Sequence, residues 1–345
     1  MIKKKYLYAF IIFIIQVFFL IIKNELGVYT PDEILYTTGV FRGNEMAVDT
    51  LSLKFRIPFL IISFLYNINV YLYPLILISF TIITYLYIYK INRTYNVFKI
   101  ETLLLFFLLP SAIYLSSAYL RDYLIYLLSI TMLFNYKAYN LSKRTIIVFI
   151  ILSILRYEAG IIILLSYILI LFNKNKCGLF IKKRNFIFPI VIFFLLFSLG
   201  ILINIDFIWD SFIQRLDRLS YDSSGFGLMH IEPTKHNILF YSIPNWFAYY
   251  APYLFKEDAS LFSNFMLLES IIVGILFIVG LLKVRTKKFT NDVLYQISYI
   301  ILIGTFFLSI LEVTPETAFR HRMAYIPFLI YLNFSRYNFH ITKSK

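Results

Sequence analysis

The topology of this chain is set by residues 1–36, MIKKKYLYAFIIFIIQVFFLIIKNELGVYTPDEILY. Lys3–Lys5 precede an apolar run, so we expect residues 6–22 to form a retained first membrane span with a cytoplasmic N-terminus, because basic residues stay on that side. Pro31 then introduces an acidic pair, Asp32–Glu33. The stretch predicts two carboxylates at the outer membrane surface, where charge is costly and marks functional sites. A solvated pair of loop acids is the alternative interpretation.

The composition indicates a membrane protein. Hydrophobic residues make up 60% of the 345 residues, aromatic residues 20% and charged residues only 15%, which is more apolar surface than a soluble fold buries. We therefore expect an all-α, polytopic transmembrane protein. In a soluble protein, a net charge of +14 would suggest binding to nucleic acid. In a membrane protein the basic residues instead mark the cytoplasmic loops, so no nucleic acid is expected as a partner. The one cysteine, Cys177, provides neither a disulfide framework nor a metal cluster.

Apolar runs predict about ten membrane helices in a single integral membrane domain, residues 1–345, with both termini in the cytoplasm. Residues 23–70 are expected to form the first outer loop, part of which lies on the outer leaflet. Residues 206–263 are expected to form a large outer loop or cap. The other predicted spans are residues 71–89, 102–119, 123–136, 186–204, 264–282, 293–311 and 323–334.

Residues Thr145–Phe172 are the most informative segment for topology, because a single helix of this length would extend about 42 Å, too long for one ordinary crossing. Basic residues flank both ends, Lys143–Arg144 before it and several lysines within 174–184 after it. Both flanks stay in the cytoplasm only if the segment is a hairpin of two short membrane helices. Arg156-Tyr157-Glu158 is then the hairpin tip at the outer surface. A single long tilted helix is the alternative.

The predicted topology separates the charges. The segments assigned to the cytoplasm contain 21 of the 33 Lys and Arg residues but only two of the 19 acids, Glu101 and Asp292. Charged side chains are therefore expected to gather at the outer face. The candidate site residues there are Asp32, Glu33, Arg121, Asp122, Arg156, Glu158, Arg320, His321 and Arg322.

The pattern of charges favours group transfer. The sequence contains no glycine-rich nucleotide loop and no metalloprotease helix motif. A carboxylate at the outer surface can accept the proton of an attacking hydroxyl, and Arg or His can neutralise a departing phosphate. These are the requirements for transfer from a lipid-linked phosphate. The same charges also fit the ion path of a transporter.

Three motifs in the first 175 residues carry a resemblance to a known family. They are Pro31-Asp32-Glu33 with Tyr36 after the first span, the run from Ser116 to Arg121-Asp122 before an apolar helix, and Leu155-Arg156-Tyr157-Glu158 between two short helices. In this order they resemble the GT-C superfamily of membrane glycosyltransferases. The resemblance implies polyprenyl-phosphate-linked donors, with Asp32 as the catalytic base and Glu33 orienting an acceptor or an ion. It implies that Tyr36, Arg121, Asp122, Arg156 and Glu158 contribute to substrate binding.

The whole chain is also similar to bacterial O-antigen and capsule repeat-unit polymerases, in its length, its large outer loop and its closing Arg320-His321-Arg322 with Tyr325. This similarity implies an undecaprenyl-(di)phosphate-linked saccharide as substrate, contact with membrane lipid, other polysaccharide-assembly proteins as partners, and location in the bacterial inner membrane. A single-sugar transferase and a lipid-linked saccharide flippase are the alternatives. No particular cofactor is predicted, and the use of a divalent cation stays open.

Other outer residues have two interpretations each. The cluster Arg320–Arg322 either binds a lipid phosphate or pairs with the loop acids Glu312 and Glu316. Aromatic residues of the large loop either stack on sugar rings or anchor at the membrane interface; these are Trp209, Trp246, Tyr249 and Tyr250. His230 and His236 either join a metal site or are solvated.

Overall fold

The structure is a computed structural model that describes residues 4–25, 31–38, 40–41, 44–45, 53–139, 142–177, 210, 238–255, 261–283, 292–309 and 315–336. Where the sequence predicts one domain, the chain divides into two compact units. The first comprises Met1–Gly160 with Phe334–Lys345, and the second comprises Ile161–Asn333. Span 186–204 and most of the 206–263 loop, including His230, His236 and Trp209, lie outside the described residues.

The first unit is helical apart from a minimal antiparallel ladder of β1 (Val40–Phe41) and β2 (Asn44–Glu45). Helix α9 begins in this unit and continues into the second. The helices are α1 (Lys4–Glu25), α2 (Pro31–Thr38), α3 (Leu53–Ile68), α4 (Leu72–Tyr95), α5 (Ile100–Leu108), α6 (Pro110–Ser116), α7 (Asp122–Tyr139), α8 (Lys143–Leu155) and α9 (Tyr157–Cys177).

Helix α1 shows why this unit belongs at a membrane. One face, with Ile12 and Leu20 buried, packs against α4 and α6, and α4 in turn packs against α7. The opposite face leaves large apolar side chains exposed, among them Phe10 and Phe18. Soluble proteins rarely expose a continuous apolar face of this kind, whereas lipid covers it favourably.

The predicted span 102–119 is broken by Pro110, which is a correction to the expected single crossing. Helix α5 ends at Leu108 and α6 begins at Pro110. Leu109, between them, is extended with φ −60° and ψ 140°, because the proline ring disfavours helical geometry at the preceding residue. The break allows α6 to end at Ser116, just before the Arg121–Asp122 motif.

The predicted break within Thr145–Phe172 is present. Ser142 caps the N-terminus of helix α8, because its Oγ accepts a hydrogen bond from the Thr145 N–H at 3.3 Å, and the helix ends at Leu155. Arg156 is extended, with φ −151° and ψ 94°, and α9 begins at Tyr157. Because α9 continues into the second unit, the antiparallel hairpin itself stays a prediction.

The second unit contains α10 (Ile238–Tyr250), α11 (Leu261–Leu282), α12 (Val293–Ser309), α13 (Pro315–Arg322) and α14 (Ile326–Phe334), with a 3₁₀ turn at Pro252–Phe255. Helix α10 packs against α11, α12 and α13. Helix α10 lies within residues 206–263, the range that the sequence predicts as a large outer loop or cap. Its apolar residues, Ala248 to Tyr250, are fully buried in the core of the unit.

Three described helices are long and apolar enough to cross a membrane: Lys4–Glu25, Leu72–Tyr95 and Ser263–Leu282. They match three of the predicted spans, residues 6–22, 71–89 and 264–282. Shorter apolar helices are found at Arg56–Ile68, Tyr157–Tyr167 and Val293–Phe306. The remaining predicted crossings are not established by helix length.

Candidate functional site

A buried ion pair joins the acidic motif to the first span. Lys23 lies in the last turn of α1 and Glu33 in the first turns of α2, and both side chains are almost completely buried. The Lys23 ammonium donates to Glu33 Oε1. A buried carboxylate requires a partner of this kind, because its desolvation is otherwise very costly.

Further contacts of Glu33 come from α6 and the turn that follows it. The Tyr119 N–H donates to Glu33 Oε1 at 3.0 Å, and the Tyr114 hydroxyl donates to Oε2 at 3.1 Å. Lys23 also donates to the Ser117 carbonyl oxygen at 3.3 Å and lies 4.9 Å from the centroid of the Tyr114 ring. Both carboxylate oxygens of Glu33 are therefore engaged, so this side chain holds the motif in place.

A second buried ion pair joins the other two motifs. Arg156, at the break between α8 and α9, donates from Nη2 to Asp122 Oδ1 at 2.5 Å. Asp122 is fully buried in the first turn of α7, where a negative charge is favourable. Arg121, the neighbouring residue, is only 6% exposed.

The segment from Tyr119 to Asp122 joins the two ion pairs, and it is contacted by Tyr73 of α4. The Tyr73 hydroxyl donates to the Leu120 carbonyl oxygen at 3.1 Å, and Tyr73 lies close enough to Asp122 and to Tyr36 for electrostatic interaction. Tyr36 is itself buried in α2. The structure thus brings the three sequence motifs into one connected, buried network, which we call the charged network: Lys23, Glu33, Tyr36, Tyr73, Tyr114, Tyr119, Arg121, Asp122 and Arg156.

Two predicted site residues lie beside the charged network. The backbone of Asp32 is in the first turn of α2, next to Glu33, while its side chain lies outside the described residues. Glu158 is half-buried in the first turn of α9, two residues after Arg156. The catalytic and binding roles of both stay predictions.

Arg322, in the second unit, is fully buried and forms an ion pair with Glu269. Its Nη2 lies 2.6 Å from Glu269 Oε1, and its Nη1 donates to the Tyr250 carbonyl oxygen. Burial lowers the pKa of Arg322 and Glu269 opposes that change, so the guanidinium remains charged. Burial also raises the pKa of the Tyr250 hydroxyl. This arrangement favours a structural role for Arg322 over phosphate binding.

The rest of the Arg320–Arg322 cluster differs from Arg322 in exposure. Arg320 and His321 are both partly exposed on α13, so they are more accessible to a ligand. Glu312 and the side chain of Glu316, the acids that the sequence proposes as partners, lie outside the described residues.

Two aromatic residues of α10 lie in the core of the second unit. Tyr249 and Tyr250 are fully buried, and the Tyr250 ring stacks on Phe277 with centroids 4.6 Å apart. Trp246 donates from Nε1 to Thr305 Oγ1 at 3.0 Å. The buried rings of Tyr249 and Tyr250 pack helices together and are not available as a sugar-stacking surface or an interfacial anchor, whereas Trp246 is partly exposed.

Sequence reasoning missed the basic and acidic partners inside the apolar helices. Lys23 ends the first span, and Glu269 interrupts the apolar run of α11. Glu269 lies within a predicted membrane helix and Lys23 directly follows one, and a charge at such a position points to a buried partner. Among the described residues, no group of three His, Cys, Asp or Glu side chains is placed to hold a metal ion.

The apolar helices and their buried ion pairs define a helical membrane protein. No family model, curated protein or solved structure matches the chain.

Proposed function

We propose that this chain is a membrane glycosyltransferase that acts at the outer face of a bacterial inner membrane on polyprenyl-linked saccharides, as a repeat-unit polymerase in surface polysaccharide assembly. The observation that carries the proposal is the charged network. It links three sequence-distant motifs, and a membrane protein has little reason to bury so many charges near one another without a function.

The proposed reaction needs a base and a phosphate-binding group. The acceptor hydroxyl oxygen attacks the anomeric carbon of the donor, and the bond from that carbon to the phosphate oxygen breaks. Asp32 accepts the hydroxyl proton. The polyprenyl diphosphate leaves with its negative charge, which Arg121 stabilises. Arg320, in the second unit, is proposed separately as a ligand of lipid phosphate.

The contacts of the charged network indicate which residue of the acidic pair can act as the base. Glu33 already accepts hydrogen bonds from Lys23, Tyr114 and Tyr119, so it is poorly placed to accept a further proton. We assign it a positioning role, in which it fixes the start of α2 and thereby the neighbouring Asp32. The catalytic base is then Asp32 alone.

The proposal includes the ten-crossing topology. Three described helices have the length and apolarity of spans. The other crossings are assigned to shorter helices, such as α7 to α9 and α12, and to residues 186–204. This topology puts Asp32, Arg121, Glu158 and Arg320 on the outer side.

A reconstituted assay tests the function. Purified protein is supplied with a synthetic polyprenyl-diphosphate-linked repeat unit, and released polyprenyl diphosphate and elongated product are measured without an ion gradient. We expect both products to appear together. A strict requirement for a gradient, with the lipid-linked saccharide recovered unchanged, would instead identify a flippase. Product from a polyprenyl-phosphate monosaccharide but not from the repeat unit would identify a single-sugar transferase.

A further inference from the structure

A cavity of about 360 Å³ lies at the end of α4 opposite the charged network's Tyr73, beside the connection to α5. Its charged lining residues are Arg93, Glu101 and Arg336, and Tyr89 forms part of its wall. The cavity is unrelated to the three motifs of the proposed site.

The connection that forms one wall is held in place by specific contacts. Asn96 ends α4 in the left-handed conformation, with φ 47°, and its N–H donates to the Asn92 carbonyl oxygen. The Asn92 side chain binds both backbone groups of Phe98, at 2.7 Å from its N–H and 3.1 Å from its carbonyl oxygen. The Arg336 N–H donates to the Val97 carbonyl oxygen at 2.7 Å. The wall is therefore preorganised.

The three charges around the cavity do not neutralise one another. Arg336 donates from Nη1 to Asn96 Oδ1 at 2.6 Å, which is a neutral partner. Within the described part of the chain, neither Arg93 nor Glu101 makes an ion pair. Two guanidinium groups and one carboxylate thus remain available to a ligand that carries both signs of charge.

The position of the cavity indicates a lipid. Helix α4, Leu72–Tyr95, is a candidate span, and at 1.5 Å per residue its length of about 36 Å exceeds the roughly 30 Å hydrocarbon core. Its last turns, which contain Lys90 and Arg93, therefore reach the headgroup layer. Basic residues at this end assign it to the cytoplasmic leaflet.

We propose that this cavity binds a zwitterionic phospholipid headgroup with a phosphate and a primary ammonium, that is, phosphatidylethanolamine in the cytoplasmic leaflet. The guanidinium groups of Arg93 and Arg336 bind the phosphate, for which paired N–H donors are well suited. Glu101 accepts hydrogen bonds from the ammonium. A trimethylated headgroup lacks those donors, and an anionic headgroup leaves Glu101 facing negative charge.

Lipid binding to the purified full-length protein in detergent tests the proposal. Native mass spectrometry compares phosphatidylethanolamine, phosphatidylcholine and phosphatidylglycerol of equal chain length, together with free phosphoethanolamine. We expect phosphatidylethanolamine to bind about fivefold more tightly than the other lipids, the scale of a solvent-exposed ion pair. Arg93→Gln should weaken the binding of all three lipids, because each contains the phosphate, and Glu101→Gln should reverse the preference in favour of phosphatidylglycerol.

Lys143→Gln is the matched control, because Lys143 is an exposed basic residue outside the cavity; we expect it to bind lipid like the wild type. Equal binding of all three lipids, or tightest binding of phosphatidylglycerol by the wild type, would overturn the proposal. Free phosphoethanolamine bound as tightly as the lipid would also overturn it, since the ligand would then be soluble. Each substituted side chain is exposed, and a melting temperature equal to that of the wild type verifies folding.

Discussion

At the scale of single residues, the two acids of the acidic pair have different proposed roles: Asp32 is the catalytic base and Glu33 is a positioning residue. Glu33 is fully buried against Lys23, and Asp32 is its neighbour at the start of α2. Asp32→Asn keeps the side-chain shape but removes the base. We expect transfer to fall by about 10²- to 10⁴-fold, measured as product formed by purified protein, with the melting temperature unchanged. Transfer near the wild-type rate would remove Asp32 as the base.

Glu33→Gln should behave differently, because it leaves the Lys23 ammonium buried without its counter-charge. Breaking a buried pair by changing one partner costs about 3–5 kcal/mol, so we expect a lower melting temperature in a detergent thermal-shift measurement. The double variant Lys23→Met/Glu33→Gln removes the orphaned charge as well and should recover part of that loss. A Glu33→Gln protein as stable as the wild type but inactive would transfer the role of base to Glu33.

The arginines of α13 also divide by burial. Arg322→Lys loses the second hydrogen bond, to the Tyr250 carbonyl oxygen, while Glu269 stays paired. We expect a stability loss of about 1–3 kcal/mol. Arg320→Lys is the matched variant at a partly exposed position, and it should weaken donor use, seen as a raised KM, without a stability change. Equal stability of both variants would contradict the structural role of Arg322.

At the scale of elements, the break at Arg156 depends on close packing at Gly160. A Cβ at Gly160 would lie 2.8 Å from Ser153 Cβ and 2.9 Å from Ser153 Cα, on the preceding helix α8. Gly160→Ala therefore forces α8 and the start of α9 apart at the residues that hold Arg156 against Asp122. We expect a loss of about 1–3 kcal/mol, measured by thermal unfolding.

Gly274→Ala provides the comparison within an apolar helix. Its added Cβ would lie 3.1 Å from Ala251 Cβ and 3.4 Å from the Phe247 ring, so the neighbouring atoms need to move by only a few tenths of an ångström. Its expected loss is smaller than that of Gly160→Ala. The reverse order would show that the junction of α8 and α9 is more compliant than its geometry indicates.

A helix break was predictable from the sequence only where charged residues flanked the apolar segment. Basic flanks on both sides of Thr145–Phe172 predict a break, and Arg156 supplies it. Pro110 lies within an apolar run whose hydropathy continues through it, so the sequence reads as one span although α5 and α6 are separate. Helix α10 was missed because the polar residues around it conceal a short apolar segment that only its packing partners stabilise.

The charged residues of the candidate site were predictable from the sequence, but the ion pairs that they form were not. Three charged motifs follow apolar runs at the same predicted surface, and they are joined in the charged network. Which residues bind each other depends on the packing of α1, α2, α4 and α6, which no local pattern encodes. Lys23 therefore enters the site only through the structure.

At the scale of the whole molecule, the proposed reaction requires one orientation in the membrane. Cysteine labelling from outside the cell measures it, in a Cys177→Ser background and at exposed positions, because buried positions such as Arg121 would not react whichever side they faced. Asn67 and Tyr157 are exposed beside the predicted outer loops, and Lys99 and Lys143 are exposed beside the predicted inner ones.

We expect a membrane-impermeant maleimide to label Asn67→Cys and Tyr157→Cys in intact cells, and to label Lys99→Cys and Lys143→Cys only after permeabilisation. The reason is that the basic residues around Lys99 and Lys143 remain on the cytoplasmic side. The pair Lys143 and Tyr157 is the sharpest comparison, since only α8 separates the two positions. Labelling of both from outside would mean that α8 does not cross. The Arg156–Asp122 pair would then lie away from the face at which lipid-linked saccharides are used, and the glycosyltransferase proposal would lose its site.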